Sequence, residues 1–316
     1  MPLDPKAQWL LDELERQGLP PFEEMTVPQA REVVMAFKDL QAEPPPIAGT
    51  EDREIPGPAG SIPVRVYTPN TAAPRPALVY FHGGGWTIGN LDVTDKPCRA
   101  LAHATGSVVV SVEYRMGPEH RFPAAVDDCV AATRWVAEHA AELGADPARL
   151  VVAGDSAGGN LAAAVALLAR DQGGPRIAYQ VLLYPVTDYA FDTPSYIQNA
   201  DGYLLTRESM RWFWDKYLAS PADGGDPRAA PLRASDLSGL PAALVITCEF
   251  DPLRDEGEAY AERLRAAGVP VKLHRFDGML HGFFWMSGVF TQTQELLDEI
   301  AAELDAALRP VVASTP

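Results

Sequence analysis

A serine flanked by glycines is the feature of this 316-residue sequence with the clearest chemistry. Gly154-Asp155-Ser156-Ala157-Gly158 follows a β-branched run and leads into an alanine-rich segment, which predicts a strand, a sharp turn and a helix. Glycines two residues before and after Ser156 let the strand and the helix approach closely. The helix N-terminus favours developing negative charge. We interpret Ser156 as a candidate nucleophile, with a capping serine in a glycine-rich turn as the alternative.

A serine hydroxyl needs a base and an acid to become nucleophilic at neutral pH. Asp251 and His281 each follow a predicted strand in the second half of the chain. Ligands of open α/β sheets bind at the carboxyl ends of the strands, and the order serine, acid, histidine is that of nucleophile-elbow hydrolases. We therefore predict a triad of Ser156, Asp251 and His281. Asp255 is a rival acid, but it begins a predicted helix and has a capping role.

A second glycine-rich segment, His82-Gly83-Gly84-Gly85-Trp86, directly follows the predicted buried strand at residues 77–81. Successive glycines let backbone N–H groups turn inward and face the N–H of Ala157. Such donors stabilise an oxyanion, and each is typically worth about 10²–10³ in rate. A flexible glycine turn is the alternative. We expect His82 to anchor this loop rather than to catalyse.

The remaining patterns predict an α/β protein. Residues 5–18 and 27–41 have helical periodicity, and residues 51–68 form a predicted antiparallel hairpin. Strands and helices then alternate, which indicates a mostly parallel sheet of about eight strands covered on both faces. One α/β domain with a smaller appended piece fits the length.

The interval between Pro185 and Pro241 contains no convincing strand and is a candidate lid or cap. Residues 206–218 carry an aromatic stripe at helical spacing, which is typical of a core face. Trp212 lies off this stripe, so we expect it to face a pocket.

Composition limits the partners. Lys and Arg total 26 against 43 Asp and Glu, for a formal net charge of −17, so nucleic acid and anionic membranes are not expected to bind. Three widely spaced cysteines indicate a reducing compartment. With no signal-peptide pattern and no apolar run long enough to span a membrane, we expect a soluble cytoplasmic protein. No metal or nucleotide motif is present, so no cofactor and no metal are predicted.

Four segments together resemble the bacterial hormone-sensitive-lipase-like carboxylesterases: residues 82–86, 154–160, 251–257 and 281–283. The resemblance covers nearly the whole chain. It implies an α/β-hydrolase fold, with a mostly parallel eight-stranded sheet flanked by helices and a helical cap. The implied division assigns residues 1–45 (the N-terminal arm) and 186–225 (the insertion) to the cap, and residues 46–185 and 226–316 to the catalytic core.

The resemblance also implies site residues and an activity. Ser156, Asp251 and His281 match the family triad, and Gly84, Gly85 and Ala157 match its oxyanion donors. The expected protein is a cofactor-independent serine carboxylesterase that hydrolyses short- to medium-chain esters through an acyl-enzyme. The candidate pocket residues are Trp86, Trp212, Phe213 and Phe283. Some relatives dimerise through the corresponding edge strand, so we expect a monomer or a homodimer formed near Val271–Phe276.

Two alternatives stay open. The same triad could hydrolyse an amide or a peptide, and no sequence feature decides between these leaving groups. A hydrolase-fold chain can also serve as a non-catalytic small-molecule receptor, although an intact triad argues against that function.

Overall fold

An eight-stranded sheet forms the centre of the computed structural model, which describes residues 2–309. The domain boundaries predicted above include residues 1 and 310–316, which lie outside the described residues. The strand order is β1-β2-β4-β3-β5-β6-β7-β8, in which β1 and β4 pair antiparallel with β2 and all other neighbours are parallel. This confirms the predicted fold class. The strands are β1 (Gly49–Gly57), β2 (Gly60–Thr68), β3 (Arg75–Phe81), β4 (Val108–Val112), β5 (Ala145–Asp155), β6 (Tyr179–Leu183), β7 (Ala242–Phe250) and β8 (Val271–Leu280).

Helices cover the sheet. Strands β4 and β6 are buried at every residue, as expected of strands with both faces covered. The α-helices of residues 2–309 are α1 (Pro5–Gln17), α2 (Val27–Val34), α3 (Asp95–Thr105), α4 (Ala124–Glu138), α5 (Ala157–Asp171), α6 (Pro194–Gln198), α7 (Arg207–Tyr217), α8 (Arg254–Ala266) and α9 (Gln292–Ala307). Helices α3 and α6 were not predicted from the sequence pattern.

The junction of β5 and α5 depends on glycines. A Cβ at Gly158 would overlap the carbonyl group of Phe81 on β3, and a Cβ at Gly154 would overlap the carbonyl of Gly158. Larger residues at these two positions would push α5 away from the sheet. The sequence pattern around Ser156 is therefore a packing requirement of the turn that presents it.

The N-terminal arm and the insertion contact each other. Glu23 accepts hydrogen bonds from the hydroxyls of Thr206 (3.0 Å) and Ser209 (2.5 Å) at the start of α7. The rings of Phe22 and Phe213 lie 5.5 Å apart. The two segments therefore form one continuous wall beside the carboxyl ends of the strands.

The arm is also fixed to the rest of the fold. The Arg31 guanidinium donates to the backbone carbonyls of Thr87 (2.9 Å) and Gly117 (3.0 Å). The Asp4 N–H donates to the carbonyl of Gly278 on β8 at 3.0 Å.

Candidate active site

Ser156 lies on the sharp turn between β5 and α5. Its backbone has φ +55° and ψ −120°, a conformation that non-glycine residues rarely adopt. The turn is held because the Ser156 N–H donates to the Leu183 carbonyl (2.8 Å) and its carbonyl accepts from Asn160 (3.0 Å). The side chain is buried, with 7% of the residue exposed. This strained turn directs the hydroxyl toward the end of β8.

The structure brings Ser156, His281 and Asp251 into one chain of hydrogen bonds. His281 Nε2 lies 2.8 Å from Ser156 Oγ, and His281 Nδ1 lies 2.7 Å from Asp251 Oδ2. The other Asp251 oxygen accepts the Leu253 N–H at 2.8 Å, which fixes the carboxylate. Asp255, the rival acid, accepts the Ser195 N–H instead. The arrangement supplies a hydroxyl, a base that can remove its proton, and a buried carboxylate that orients the base.

The glycine loop, residues 82–86, faces this serine. Gly84 and Gly85 have φ values of +100° and +57°, and both line the cavity that contains Ser156. Ala157 is the first residue of α5. Within residues 2–309, the N–H groups of Gly84, Gly85 and Ala157 have no hydrogen-bond acceptor. These donors are free to bind a negatively charged oxygen at the N-terminal end of α5, where the helix dipole favours negative charge.

Asp155 holds the glycine loop, a role that sequence reasoning missed. Its carboxylate accepts the Gly83 N–H at 2.9 Å and the Tyr80 hydroxyl in a short hydrogen bond. Burial raises the pKa of Asp155 from 3.8 to about 6. The sequence signal was the acid itself, which directly precedes Ser156 in the glycine-flanked turn.

His82 fixes the same loop from its other end. Its Nδ1 lies 2.7 Å from the Gly83 carbonyl, so this nitrogen carries the proton that is donated. Burial lowers the pKa of His82 to about 4, and the ring stacks on Tyr114 at 4.4 Å. The ring is therefore neutral at pH 7.

The cavity beside Ser156, called the catalytic cavity below for its candidate role, is small and mostly apolar. It encloses about 70 Å³ beside Ser156 and His281. An open groove of about 850 Å³ lies next to it, and the two share Phe22, Phe37 and Leu204. The other apolar side chains around the small cavity are Val34, Ile88, Leu205, Met210, Phe213 and Trp285.

Of the four predicted pocket residues, only Phe213 lines this cavity. Trp86 turns away and stacks on Tyr217, and Phe283 packs against Tyr184 and Phe276. The Trp212 ring lies outside the cavity, with the Lys216 ammonium 5.5 Å from its centre. Trp86, Trp212 and Phe283 are therefore not among the residues that line this cavity.

The geometry of α7 explains why Phe213 lines the cavity and Trp212 does not. The spacing predicts a core face for the stripe that includes Met210 and Phe213, whereas Phe213 and the off-stripe Trp212 are the pocket candidates on this helix. The buried face of α7 is the face that closes the cavity, so the stripe provides pocket residues. Helical periodicity shows which face is buried, but not whether a cavity separates it from its neighbours.

Between residues 2 and 309, no group of three or more His, Cys, Asp or Glu side chains is placed to hold a metal ion. Over the same range, no helix has the length and apolar character needed to cross a membrane.

A serine on a strand–turn–helix elbow, joined to a histidine and an aspartate at the ends of parallel strands, is the arrangement of an α/β hydrolase. The comparison with protein families agrees, because the model of an α/β-hydrolase-fold family matches residues 78–307. The chain belongs to this family.

Relatives within the family are ester hydrolases. The carboxylic ester hydrolase LipN of Mycobacterium tuberculosis is 48% identical over 263 residues, covering 80% of this chain and 70% of LipN. An ethyl acetate hydrolase of Pseudomonas putida is 41% identical over 254 residues, covering 78% of this chain and 79% of that protein. These relatives confirm the resemblance to carboxylesterases, and the protein is a carboxylic ester hydrolase.

Solved structures agree with this assignment. An ester hydrolase from the metagenome of Lake Arreo, complexed with a bipyridine phosphonate derivative, superposes with a TM-score of 0.93. It is 41% identical in sequence, and the match covers 97% of this chain and 99% of that chain. A thermostable esterase from Pseudomonas putida gives a TM-score of 0.92 at 40% identity, with 98% of both chains covered.

Proposed function

We propose that this protein hydrolyses short- to medium-chain carboxylic esters through an acyl-enzyme on Ser156. The observation that carries the proposal is the buried hydrogen-bond chain from Asp251 through His281 to Ser156. His281 Nε2 removes the hydroxyl proton as Ser156 Oγ attacks the ester carbonyl carbon. Asp251 keeps the proton on Nδ1 and stabilises the imidazolium that forms.

The tetrahedral oxyanion binds to the N–H groups of Gly84, Gly85 and Ala157, which have no acceptor among the described residues. Collapse of this intermediate breaks the bond to the alcohol oxygen, which takes the proton from His281. Water then attacks the acyl-enzyme while His281 removes its proton, and the second collapse releases the carboxylic acid and restores Ser156. No cofactor takes part in this sequence.

Cavity size supports the proposed chain length. One water molecule needs roughly 10–15 Å³ of cavity volume, so the 70 Å³ beside Ser156 accommodates only a small group of the ester. The larger group extends past Phe22, Phe37 and Leu204 into the open groove. A relative that is an ethyl acetate hydrolase acts on an ester with two small groups.

In this proposal the cap consists of the N-terminal arm and the insertion. Glu23 on the arm binds the hydroxyls of Thr206 and Ser209 on the insertion, which supports a single covering unit. Two finer expectations stay predictions: a cytoplasmic location, and either a monomer or a homodimer formed through β8, which lies at the edge of the sheet.

A series of p-nitrophenyl esters from acetate to palmitate tests the proposal. We expect turnover that is highest for the short esters, and a loss of about 10⁴-fold or more in kcat for Ser156→Ala. Ser107→Ala is the matched control, since Ser107 is buried and its hydroxyl has no hydrogen-bond partner in the described chain. The proposal fails if the folded wild type is inert on the whole series, or if Ser156→Ala retains the wild-type rate.

A further inference from the structure

The side chain of Trp86 joins the glycine loop to α7. Trp86 directly follows Gly85, and its fully buried ring points away from the catalytic cavity. It stacks flat on Tyr217 of α7, with ring centroids 4.1 Å apart and planes 6° apart, and lies 4.6 Å from the Trp214 ring. This cluster of three aromatic rings connects the segment that carries the candidate oxyanion donors to the insertion.

A second contact lies at Gly85 itself. A Cβ at this position would overlap the ring of Phe213, so the helix packs directly on the backbone of the loop. Phe213 and Tyr217 are one helical turn apart on α7. The helix therefore contacts two consecutive loop residues, Gly85 and Trp86, through two side chains of one face.

The backbone of the loop needs such support. Gly84, Gly85 and Trp86 have consecutive positive φ values of +100°, +57° and +55°. This conformation is unfavourable for a bulky aromatic residue and persists only where the surroundings hold it. Apart from the stack, Trp86 is held by its carbonyl, which accepts the Gly117 N–H at 2.8 Å.

Helix α7 is attached to other segments at both of its ends. At its C-terminal end, the Tyr217 carbonyl accepts the Phe122 N–H at 2.7 Å, and Arg121 donates to the Asp215 carbonyl at 2.5 Å. Its N-terminal end is bound by Glu23 on the arm, as described above. Both ends are tied to other parts of the fold.

We propose that α7 positions the oxyanion donors by clamping the glycine loop through the Trp86–Tyr217 stack. Tyr217 is then a positioning residue for the reaction, although it does not line the catalytic cavity. The inference rests on the proposed ester hydrolysis, because it assigns Gly84 and Gly85 to the oxyanion.

The expected effect falls on the transition state. The N–H groups of Gly84 and Gly85 bind the oxygen most strongly after it becomes negatively charged, so their displacement lowers kcat more than it raises KM. Complete loss of one donor costs about 10²–10³ in kcat, and a partial displacement costs about 10-fold to 100-fold. The relay of Asp251, His281 and Ser156 does not change, so the pH profile keeps its shape.

The test compares Tyr217→Leu with Tyr217→Phe on p-nitrophenyl acetate. The Tyr217 hydroxyl has no hydrogen-bond partner in the described part of the chain, so phenylalanine keeps the stack and stays within about twofold of the wild type. Leucine removes the stack. We expect its kcat to fall about 10-fold to 100-fold with KM within about threefold. Affinity for a trifluoromethyl ketone, which forms a tetrahedral adduct with serine, should fall in parallel.

Leu297→Ala is the control for a general loss of stability. It removes a buried side chain of α9, far from the loop in sequence, and should lower the melting temperature without changing kcat. If Tyr217→Leu does not fold, Trp214→Leu is the alternative, because it removes the other α7 ring that contacts Trp86. It should likewise lower kcat more than it raises KM. The clamp is refuted if the folded leucine variant has the wild-type kcat, or if phenylalanine costs as much as leucine. An inert wild type would instead contradict the proposed function and the clamp together.

Discussion

Replacing Asp155 with asparagine should change how the stability of this enzyme depends on pH. The Asp155 carboxyl is buried, and burial raises its pKa from 3.8 to about 6. Its oxygen accepts hydrogen bonds from Gly83 and Tyr80, and an asparagine carbonyl can accept both. The substitution therefore removes the titration and keeps these contacts to the loop.

The magnitude follows from the difference between the folded and unfolded chains. Unfolded, Asp155 ionises near pH 3.8, whereas in the folded protein it keeps its proton until about pH 6. Between these values the folded state binds more protons, so the free energy of unfolding falls as pH rises. A shift of about 2 units at 1.36 kcal/mol each gives about 3 kcal/mol. This stabilisation is complete below about pH 4 and is lost above about pH 6.

Urea unfolding of both proteins from about pH 4 to about pH 8 measures the effect. The titrations of all other groups cancel when the two free energies of unfolding are subtracted. Over this pH range the free energy of unfolding of the wild type should fall by about 3 kcal/mol relative to that of Asp155→Asn. Asp52→Asn is a control, because Arg65 lowers the pKa of Asp52 and moves its titration below the range measured. A difference between wild type and Asp155→Asn that stays constant with pH would refute the reasoning.

Two further substitutions test the site and its scaffold. Asp251→Asn should lower kcat about 10⁴-fold, because the amide nitrogen would face His281 and impose the wrong tautomer. Asp255→Asn is the control, and its kcat should stay within about threefold of the wild type. If Asp251→Asn and Asp255→Asn lost the same kcat at every pH, the assignment of Asp251 as the acid beside His281 would be contradicted. Gly158→Ala should lower the free energy of unfolding by about 3 kcal/mol in urea, because its Cβ overlaps a backbone carbonyl. Gly49→Ala is the control, because its Cβ meets no atom within 4 Å, and it should change the free energy of unfolding by less than about 1 kcal/mol. Equal effects of the two substitutions would show that the overlap at Gly158 is relieved by small shifts of the structure.

The strand ends were predictable because their chemistry is local. Ser156, Asp251 and His281 each follow a predicted strand, and parallel strands bring their carboxyl ends to one edge of the sheet. The positions of these three residues at strand ends need no knowledge of how loops pack. The structure joins them by hydrogen bonds of 2.7 and 2.8 Å.

The walls of the cavity were not predictable in the same way. Phe22 and Phe37 come from the arm, and Leu204 and Phe213 from the insertion, so the cavity depends on how two distant segments meet. Periodicity identifies a buried face but not what covers it.

Helix α3 is a different kind of omission, because its signals are local. Asp95 lies in its first turn, and Gly106 ends it with a left-handed backbone. Pro97 interrupts the apolar pattern, although a proline is tolerated in the first turn of a helix. These end signals would have located the helix without any tertiary information.

The contacts of the N-terminal arm have a consequence for the order of folding. Glu23 is separated by 183 residues from Thr206, and Asp4 binds the backbone at Gly278 on the final strand. During synthesis the arm leaves the ribosome long before these partners exist, and closing so long a loop is a slow step. Arg31 can bind the early residues Thr87 and Gly117 before then, but the contacts of the arm with Thr206 and Gly278 form late. The wall between the arm and the insertion therefore closes only after the insertion has been made.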